Sequence, residues 1–285
     1  MKLALVYNPC AGGGKAIGIA KKASDYLESK GHTCSSFTTP ASKEIGCPDF
    51  SSYDRILLFG GDGTLHRYLN YWGIPELPLA LVSAGSGNDF SRLTTHESHW
   101  EEQLDLAVHG EPKPTDIGTC NGVYFGTGVG IGFDGKVADM LTRNTRFKGF
   151  AAYMLAVITQ IFLYREKEIR LRSDGLEKHG DSFMLTVGNT SDFGGGFKVT
   201  PHAQPDDGLL EVCLIKRVSI WHRLIHLDAV TKGKHLHLRF VEHFNCQSLQ
   251  VSCDEVLICH MDGETYTWTD FNIEVLPGRL NLIRP

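Results

Sequence analysis

Residues 60–64, Gly-Gly-Asp-Gly-Thr, place three glycines and one carboxylate directly after the apolar run 56–59. Glycine lets a backbone turn sharply and approach a polyphosphate closely. Asp62 could orient a magnesium ion, and Thr64 begins a helix whose first amides favour anions. An ordinary strand-to-helix turn with a capping aspartate is the alternative, since short glycine motifs recur by accident. The segment therefore predicts a nucleotide phosphate site in outline only.

Residues 8–15, Asn-Pro-Cys-Ala-Gly-Gly-Gly-Lys, form a second glycine turn after a strand-like run. Backbone amides between a strand and a helix can bind phosphate. The turn lacks the Walker A spacing, because Pro9 stands where the first glycine is needed and Ala16 follows the lysine. It also fails the GxGxxG pattern for dinucleotides, since Ile17 replaces the third glycine.

Residues 84–90, Ala-Gly-Ser-Gly-Asn-Asp-Phe, form a third glycine-rich segment after another apolar run. Ser86 could donate to a phosphate, and Asn88 or Asp89 could cap the next helix. A helix cap alone would also explain this segment. Three glycine turns after three strands are nevertheless harder to dismiss than one.

Strand-like and helix-like patterns alternate over the first hundred residues, which predicts a parallel sheet with helices on both faces. The predicted strands cover 3–8, 33–38, 55–59 and 79–83, and the predicted helices cover 15–29, 64–72 and 100–109. The first helix shows apolar Ile17, Ala20, Ala23 and Leu27 at helical spacing. Ligands of such sheets bind beyond the carboxyl ends of the strands, so the three glycine turns are expected in one site.

From about Lys113 the pattern changes to short alternating strands joined by turn dipeptides, which predicts a second, mostly antiparallel domain. Helices are expected at 136–142, 150–164 and 220–230. The predicted boundaries are 1–112 for the first domain and 113–278 for the second. The turn dipeptides are Asn121-Gly122, Asp174-Gly175, Asp207-Gly208 and Pro277-Gly278.

The composition is that of a globular protein: 285 residues, 42% hydrophobic and 21% charged, with a net charge of -5. This charge and a pI near 6.2 disfavour nucleic acid as a partner. Eight scattered cysteines with no CxxC pair and no signal peptide predict a cytoplasmic protein with reduced thiols. The longest apolar stretch, 150–164, falls short of the roughly 20 residues that span a bilayer, but peripheral membrane contact needs only an exposed apolar face.

Two acidic turns late in the chain are candidates for chemistry. Glu264 follows a turn formed by Asp262 and Gly263, and a carboxylate there could accept a hydroxyl proton during phosphoryl transfer. The pair Asp206-Asp207 precedes a strand and suits a hard cation such as magnesium. Plain solvated turns explain both segments as well, and the residues alone do not decide.

Two further patterns receive little weight. Gly130-x-Gly132-x-x-Gly135 matches the dinucleotide pattern formally, but no acidic residue follows at 155–159, so a structural bend is the preferred interpretation. His222 and His226 stand four apart on a predicted helix, yet no catalytic glutamate or third zinc ligand is evident.

Six segments, in order and at matching spacing across nearly the whole chain, resemble the diacylglycerol kinase catalytic-domain family, which includes bacterial lipid kinases and sphingosine kinases. Each motif is weak alone, but six in register are specific. The segments are Asn8-Pro9 with Gly12-Gly13, residues 60–64, residues 85–89, residues 194–196, Pro201 with Asp206-Asp207-Gly208-Leu209, and Asp262-Gly263-Glu264.

The resemblance implies an α/β protein: an N-terminal three-layer α/β domain like that of phosphofructokinase and NAD kinase, and a C-terminal antiparallel β-sandwich, with ATP in the cleft between them. It implies that a last strand at about 279–285 returns to the first domain. Glu264 would deprotonate the lipid hydroxyl, and Asp62 would serve magnesium and the phosphates. The implied ATP contacts are Asn8, Gly12, Gly13, Thr39, Gly60, Gly61, Asp62, Gly63, Thr64 and Ser86.

A structural Mg²⁺ site is implied at Asp207 and the backbone carbonyls of Gln204 and Leu209, an oxygen-only donor set. The implied partner is a lipid substrate at a membrane surface, with no nucleic acid and no transmembrane span. Oligomeric state, including a homodimer, stays open.

The family usually follows the 60–64 motif with Asn-Glu or His-Glu, whereas this chain has His66-Arg67. A cation thus replaces a carboxylate near the site. Three hypotheses follow: an ATP- and magnesium-dependent lipid kinase, a kinase of a soluble acceptor like NAD kinase, and a non-catalytic nucleotide- or lipid-binding protein. The presence of Asp62, Asp207 and Glu264 favours the first.

Overall fold

Strands and helices alternate in the first third of the chain, and strands dominate the remainder. The computed structural model describes residues 1–84, 88–94, 99–143 and 150–285. The elements, in chain order, are β1 (Lys2–Tyr7), α1 (Lys15–Ser29), β2 (Thr33–Thr38), β3 (Arg55–Gly60), α2 (Asp62–Trp72), β4 (Leu79–Ser83), α3 (Trp100–His109), β5 (Pro112–Cys120), β6 (Val123–Phe125), β7 (Gly128–Gly132), α4 (Phe133–Arg143), α5 (Phe150–Leu163), β8 (Lys167–Ser173), β9 (Leu176–Gly188), β10 (Leu210–Lys216), α6 (Ile220–Ile225), α7 (Leu227–Thr231), β11 (Val241–Cys246), β12 (Ser248–Met261) and β13 (Glu264–Ile283).

The chain divides into two compact units. Unit 1 consists of Met1–Asp116 and Pro277–Pro285, and unit 2 consists of Ile117–Leu276. The sequence places these divisions at 112 and 278. Strand β13 contributes to both units, because it continues through Pro277-Gly278 without interruption. The prediction that this dipeptide ends a strand is therefore wrong; Gly278 instead has a positive φ of 59° within the strand, and its N–H donates to Asp116 at 2.7 Å.

Unit 1 contains the predicted parallel sheet, in the order β2-β1-β3-β4, with the end of β13 beside β4. Every one of these neighbours pairs in parallel. The run 56–59 in β3 is buried along its whole length, as expected of a central strand covered on both faces. The α/β class of this half of the chain is thereby confirmed.

Helix α1 buries three of the four predicted positions, and Ala16 takes the place of Ile17. Its buried positions are Ala16, Ala20, Ala23 and Leu27, whereas Ile17 is 48% exposed. Because successive helical residues are rotated by about 100°, a stripe through 20, 23 and 27 includes position 16 and leaves position 17 at its edge. The prediction that Ile17 belongs to the buried face is wrong.

Unit 2 is antiparallel and sandwich-like, as predicted. Its strands follow the order β11-β10-β9-β7-β12-β13, and β8 pairs with both β9 and β12. Side chains from all nine strands β5 to β13 meet in one apolar core. The Asn-Gly and Asp-Gly dipeptides at 121–122, 174–175 and 262–263 have positive φ at both positions, which is the type I′ hairpin geometry.

The helices of unit 2 bury a second apolar cluster, which includes Phe133 of α4 and Val157 of α5, against β9 and β10. The helix predicted at 220–230 is two short helices instead, α6 and α7, because His226 has φ -96° and ψ 4° between them. Helix α5 has 14 residues and no charged side chain. Of the helices in the described ranges, none is long and apolar enough to cross a membrane.

His235 is fully buried beside this helical layer. Its Nε2 lies 3.1 Å from the carbonyl of Val199 and 3.4 Å from Sγ of Cys213. Burial, which disfavours the charged form, lowers the pKa of His235. The unfolded chain therefore binds more protons than the folded chain below about pH 6.5, so acidification through that value destabilises the fold.

We expect His235→Gln to reduce the loss of stability between about pH 7.5 and 5.5, measured by urea denaturation, because it removes the proton that only the unfolded state binds readily. The wild type, measured over the same pH range, is the reference. An unchanged pH slope in His235→Gln would contradict the assignment.

Candidate functional site

The first glycine turn connects β1 to α1 through a left-handed backbone. Gly12, Gly13 and Gly14 have φ of 58°, 68° and 94°. Gly14 is the N-cap of α1 and has no side chain that could accept a hydrogen bond from the amides of that helix end. Uncapped amides at a helix N-terminus, preceded by left-handed glycines, form a concave donor surface that suits phosphate.

Gly12 is also required for contact with the third glycine segment. A Cβ atom at position 12 would lie 2.3 Å from the carbonyl oxygen of Ala84. Asn8, at the end of the same strand, accepts a hydrogen bond from the N–H of Cys10 at 3.0 Å and donates to Oγ1 of Thr64 at 3.4 Å. The first turn is thus tied to both of the other glycine segments.

The second glycine turn connects β3 to α2. Gly61 is the N-cap of α2 and, like Gly14, has no side chain that could cap the helix. A Cβ atom on Gly60 would lie 2.3 Å from Oγ1 of Thr64, so only glycine fits there. The turn therefore presents a second helix N-terminus, with its backbone amides, at the carboxyl end of the strand next to β1.

Asp62 holds the third glycine segment. Its Oδ2 accepts the N–H of Asp89, and its Oδ1 accepts the N–H of Phe90, both at 2.9 Å. Such charge-assisted bonds are among the stronger hydrogen bonds in proteins. The structure thus gives Asp62 a positioning role that the sequence did not reveal. Its predicted contact with magnesium stays a prediction.

Ser86, predicted to donate to a phosphate, lies outside the described residues together with its two flanking glycines. The ends of the third segment are described. Ala84 donates its N–H to the carbonyl of Gly60 at 2.9 Å, and Asn88 has a positive φ of 56°. These bonds, with those of Asp62, bring the three glycine turns together at one edge of the parallel sheet.

Thr39, predicted to contact ATP, follows β2 at the same edge. Its N–H donates to the carbonyl of Tyr7 at 2.9 Å. Its side chain is buried, and its Oγ1 has no hydrogen-bond partner in the described part of the chain. A buried hydroxyl without a partner costs free energy, so a bound polar ligand would restore a missing interaction.

Arg67, the departure from the family pattern, lies on α2 one turn after Asp62. Its guanidinium carbon is 5.9 Å from the centre of the Tyr71 ring, and Nζ of Lys43 is 5.8 Å from the same ring. Within the described ranges Arg67 forms no ion pair with a carboxylate. Two cations thus share one aromatic ring where the family usually places an acidic residue.

The hairpin between β12 and β13 carries the second candidate group, in unit 2. Glu264 is the first residue of β13, pairs with Met261 across the hairpin, and is exposed. Asp262 has φ 51° and Gly263 has φ 89°. An exposed carboxylate at the end of a two-residue turn has the access that a proton acceptor needs.

Asp262 fixes this hairpin in a way that the sequence did not predict. Its Oδ2 accepts the N–H of Gly126 at 2.9 Å, and its Oδ1 accepts the N–H of Thr127 at 2.8 Å. Asn189 binds the same Gly126-Thr127 segment, because its Nδ2 donates to the carbonyl of Gly126 at 2.8 Å. The dipeptide Asp-Gly signals a turn, but nothing local signals a partner 136 positions away.

Asp262→Ala is expected to lower the free energy of unfolding by about 2–4 kcal/mol, because it leaves two backbone donors without their charged acceptor. Urea denaturation measures this loss. Asp174 provides a matched control, since it occupies the same type I′ position with φ 42° and its carboxylate makes no hydrogen bond within the described ranges. Equal losses in Asp174→Ala and Asp262→Ala would show that turn strain alone is responsible.

The predicted structural metal site lies in the loop before β10. Oδ1 of Asp207 accepts the N–H of Leu209 at 2.9 Å, and Gly208 has a positive φ of 72°. This turn holds the loop in shape, and Asp207 itself is exposed. No group of three or more His, Cys, Asp or Glu side chains in the described ranges could hold a metal ion, so an ion here would depend on backbone carbonyls such as those of Gln204 and Leu209, and on water.

The glycines of the formal dinucleotide pattern have structural uses, as the sequence favoured. A Cβ atom on Gly130 would lie 2.3 Å from Oδ2 of Asp134, which itself lies 3.1 Å from Nε2 of His260. A Cβ atom on Gly135 would lie 2.1 Å from the carbonyl oxygen of Ile258. These glycines allow helix α4 to approach β12 closely.

Comparison with known families covers nearly the whole chain. The model of the diacylglycerol kinase catalytic domain matches residues 2–120. The model of the YegS C-terminal NAD kinase beta sandwich-like domain matches residues 127–284, more than half of the chain. The two families agree with the parallel sheet of unit 1 and the antiparallel core of unit 2.

Individual proteins give the same result. A probable lipid kinase YegS-like protein of Shewanella frigidimarina is 29% identical over 237 residues, covering 81% of this chain and 76% of that protein. A diacylglycerol kinase of Mycobacterium tuberculosis is 27% identical over 297 residues, covering 100% and 95%. The crystal structure of a diacylglycerol kinase from Bacillus anthracis aligns with a TM-score of 0.73 at 23% identity, covering 100% of this chain and 97% of that chain, and a second structure from that organism reaches 0.80 at 24% identity. With two matching domain models and the same fold, the chain belongs to the diacylglycerol kinase family of lipid kinases.

Proposed function

We propose that the chain transfers the γ-phosphate of ATP to a free hydroxyl of a diacylglycerol-like or sphingoid lipid. The observation that carries this proposal is the pair of helix N-termini at α1 and α2, each with a glycine N-cap that has no side chain to accept from the first amides. Two such ends at neighbouring parallel strands supply backbone donors for the oxygens of a polyphosphate. The family assignment supports a kinase as the reaction class.

The nucleotide would be bound by unit 1. Gly12, Gly13, Gly61 and Gly63 would let the backbone approach the phosphates, and the left-handed turn would direct its amides toward them. The remaining proposed contacts come from side chains or from the strand end. They are Asn8, Thr39, Gly60, Thr64 and Ser86.

Glu264 would accept the proton of the lipid hydroxyl. As the acceptor oxygen forms its bond to the γ-phosphorus, the bond from that phosphorus to the bridging oxygen breaks and ADP leaves with the bonding electron pair. The hydroxyl proton passes to the Glu264 carboxylate, which releases it to solvent afterwards. Exposure of Glu264 at the hairpin favours both access to the acceptor and release of the proton.

Asp62 and Asp207 would have different relations to magnesium. The ion, when bound, neutralises charge on the phosphates. Asp62 keeps residues 89 and 90 at the phosphate site through its two hydrogen bonds, and its carboxylate oxygens are donors of the kind that Mg²⁺ prefers. Asp207, with the carbonyls of Gln204 and Leu209, would hold a structural ion through oxygen donors that suit Mg²⁺.

A phosphorylation assay with several acceptors tests the proposal. The chain is incubated with magnesium and ATP labelled at the γ-phosphate, together with diacylglycerol, sphingosine, a bacterial lipid extract or NAD. We expect a labelled lipid, identified by mass, and no labelled NADP. Labelled NADP without any lipid product would establish the soluble-acceptor alternative.

Arg67 favours one further candidate, a nucleotide- or lipid-binding protein without transfer activity. The cation near the phosphate turn stands where the family usually has an acidic residue. If the wild type transfers phosphate, Arg67→Glu is expected to change the transfer rate by less than about tenfold, since the Arg67 side chain lies against the Tyr71 ring. Transfer that is absent in the wild type and appears in Arg67→Glu would instead support the non-catalytic candidate.

The proposed cellular setting is the cytoplasm, with peripheral attachment to the membrane that contains the acceptor. All eight cysteines have free thiols, which supports a reducing compartment. A homodimer stays an open alternative to a monomer.

A further inference from the structure

Seven large apolar side chains are exposed on two helices of unit 2. On α5 they include positions 155, 158 and 162, which lie on one helical face. On α6, Trp221 and Ile225 are one turn apart and are 73% and 70% exposed. We call these seven residues the apolar surface: Leu155, Ile158, Phe162, Leu163, Ile220, Trp221 and Ile225.

Arg223 joins the two helices. Its Nη1 donates to the carbonyls of Ile161 at 2.9 Å and Tyr164 at 3.0 Å, at the C-terminal end of α5. Its Nη2 forms a 2.5 Å ion pair with Glu166, and its guanidinium carbon lies 4.2 Å from the centre of the Phe183 ring. A buried arginine with this many partners holds α5 and α6 in a fixed arrangement.

A basic groove of about 480 Å³ borders the apolar surface. It contains four cations, and Leu163 belongs to both the groove and the apolar surface. Arg143 pairs with Asp139, and Lys167 pairs with Glu255. The other two cations, Lys136 and Arg165, are exposed and form no ion pair with any residue of the described ranges.

We propose that the apolar surface and the basic groove together dock unit 2 on a bilayer that contains anionic phospholipids. The proposal rests on the proposed function, since a lipid acceptor with two acyl chains resides in a bilayer. Exposed tryptophan and leucine partition into the headgroup region, and unpaired lysine and arginine attract anionic headgroups. The apolar side chains would enter the interface while Lys136 and Arg165 contact lipid phosphates.

A second copy of the chain is a weaker occupant for this surface. In a symmetric dimer the same patch meets itself, so the basic groove of one copy would lie close to the groove of the other. Like charges at such an interface cost free energy. An anionic bilayer satisfies both the apolar side chains and the cations.

Vesicle co-sedimentation tests the proposal without ATP or acceptor lipid. Vesicles contain either phosphatidylcholine alone or phosphatidylcholine with about 30% phosphatidylglycerol. Wild-type protein is expected to bind the anionic vesicles, with weaker binding to neutral vesicles and at high salt. Two double variants are each expected to weaken binding roughly tenfold or more. The first combines Trp221→Ala with Ile225→Ser, and the second combines Lys136→Glu with Arg165→Glu.

Val256→Ser is the matched control, because Val256 is 65% exposed on β12 and lies outside the apolar surface. It should bind like the wild type. Failure of the wild type to bind either vesicle, or equal binding by all variants, would overturn the proposal. A third result would also overturn it: the double variant Trp221→Ala with Ile225→Ser loses a dimer seen by sedimentation velocity in the wild type, while its vesicle binding is unchanged. A second copy of the chain would then be the occupant of the apolar surface.

The outcome is separable from that of the proposed function. Binding to vesicles requires no phosphoryl transfer, so it can succeed in a chain that is inactive on every acceptor. Transfer to a water-soluble short-chain diacylglycerol requires no docking, so the docking variants should retain that activity while losing activity on vesicle-bound diacylglycerol. Equal losses on both acceptors would show that the substitutions damage the enzyme rather than its docking.

Discussion

Glu264→Gln is expected to reduce phosphoryl transfer by about 10²–10⁴-fold, the usual contribution of a general base. The amide keeps the size and hydrogen-bonding capacity of the side chain but cannot accept the hydroxyl proton. Nucleotide binding should be unchanged, because every proposed phosphate contact belongs to unit 1. Initial rates with labelled ATP and diacylglycerol measure the first effect, and calorimetric titration with ATP measures the second.

Glu274→Gln is the control for this experiment, since Glu274 lies on the same strand, is exposed, and its carboxylate makes no hydrogen bond within the described ranges. Its rate should equal that of the wild type. A Glu264→Gln variant with wild-type turnover would reject Glu264 as the base. Loss of ATP binding in that variant would indicate a disrupted fold instead.

Gly12→Ala is expected to weaken ATP binding by at least about tenfold. Alanine at a φ of 58° costs about 1–2 kcal/mol, and its Cβ would lie 2.3 Å from the carbonyl oxygen of Ala84. The first and third glycine segments must then separate, which moves the backbone donors away from the phosphates. Calorimetric titration gives the change in affinity, and thermal unfolding gives the change in stability.

Gly18→Ala, six residues further along the chain, is the control and should have the opposite effect on stability. Gly18 lies within α1, and a Cβ atom there would meet nothing within 4 Å. Alanine should therefore stabilise the protein by about 1 kcal/mol and leave ATP affinity unchanged. If both variants lost affinity equally, the effect could not be assigned to the left-handed turn.

The periodicity of the sequence is sufficient to predict most of the fold. The run 56–59 and its neighbours predict a parallel sheet, because continuous apolar strands need cover on both faces. The dipeptides at 121–122 and 174–175 predict hairpins, because few residues other than Asn, Asp and Gly adopt positive φ. Local pattern is less informative at element edges, where Ile17 is exposed and Ala16 is buried.

Some features of the candidate site can be predicted from the sequence and others cannot, for a physical reason. Glycine turns can be predicted from sequence because their conformational requirement is local. The partners of Asp62 lie 27 and 28 positions away, and those of Asp262 lie 136 and 135 positions away. A carboxylate in a turn looks the same in sequence whether it contacts solvent, a metal or distant amides, so tertiary structure is needed to separate these uses.

The three glycine turns of unit 1 are linked in pairs, through Asn8 with Thr64, Gly12 with Ala84, and Asp62 with residues 89 and 90. Because each turn contacts the other two, a change in the conformation of one turn should disturb the conformation of the others. Substitutions in different turns should then show strong epistasis, because the first change already releases the neighbours that the second would disturb. Once one turn has been altered, substitutions in the other two should therefore cause little further loss of stability. In a chain with all three turns intact, each single substitution should cause a large loss.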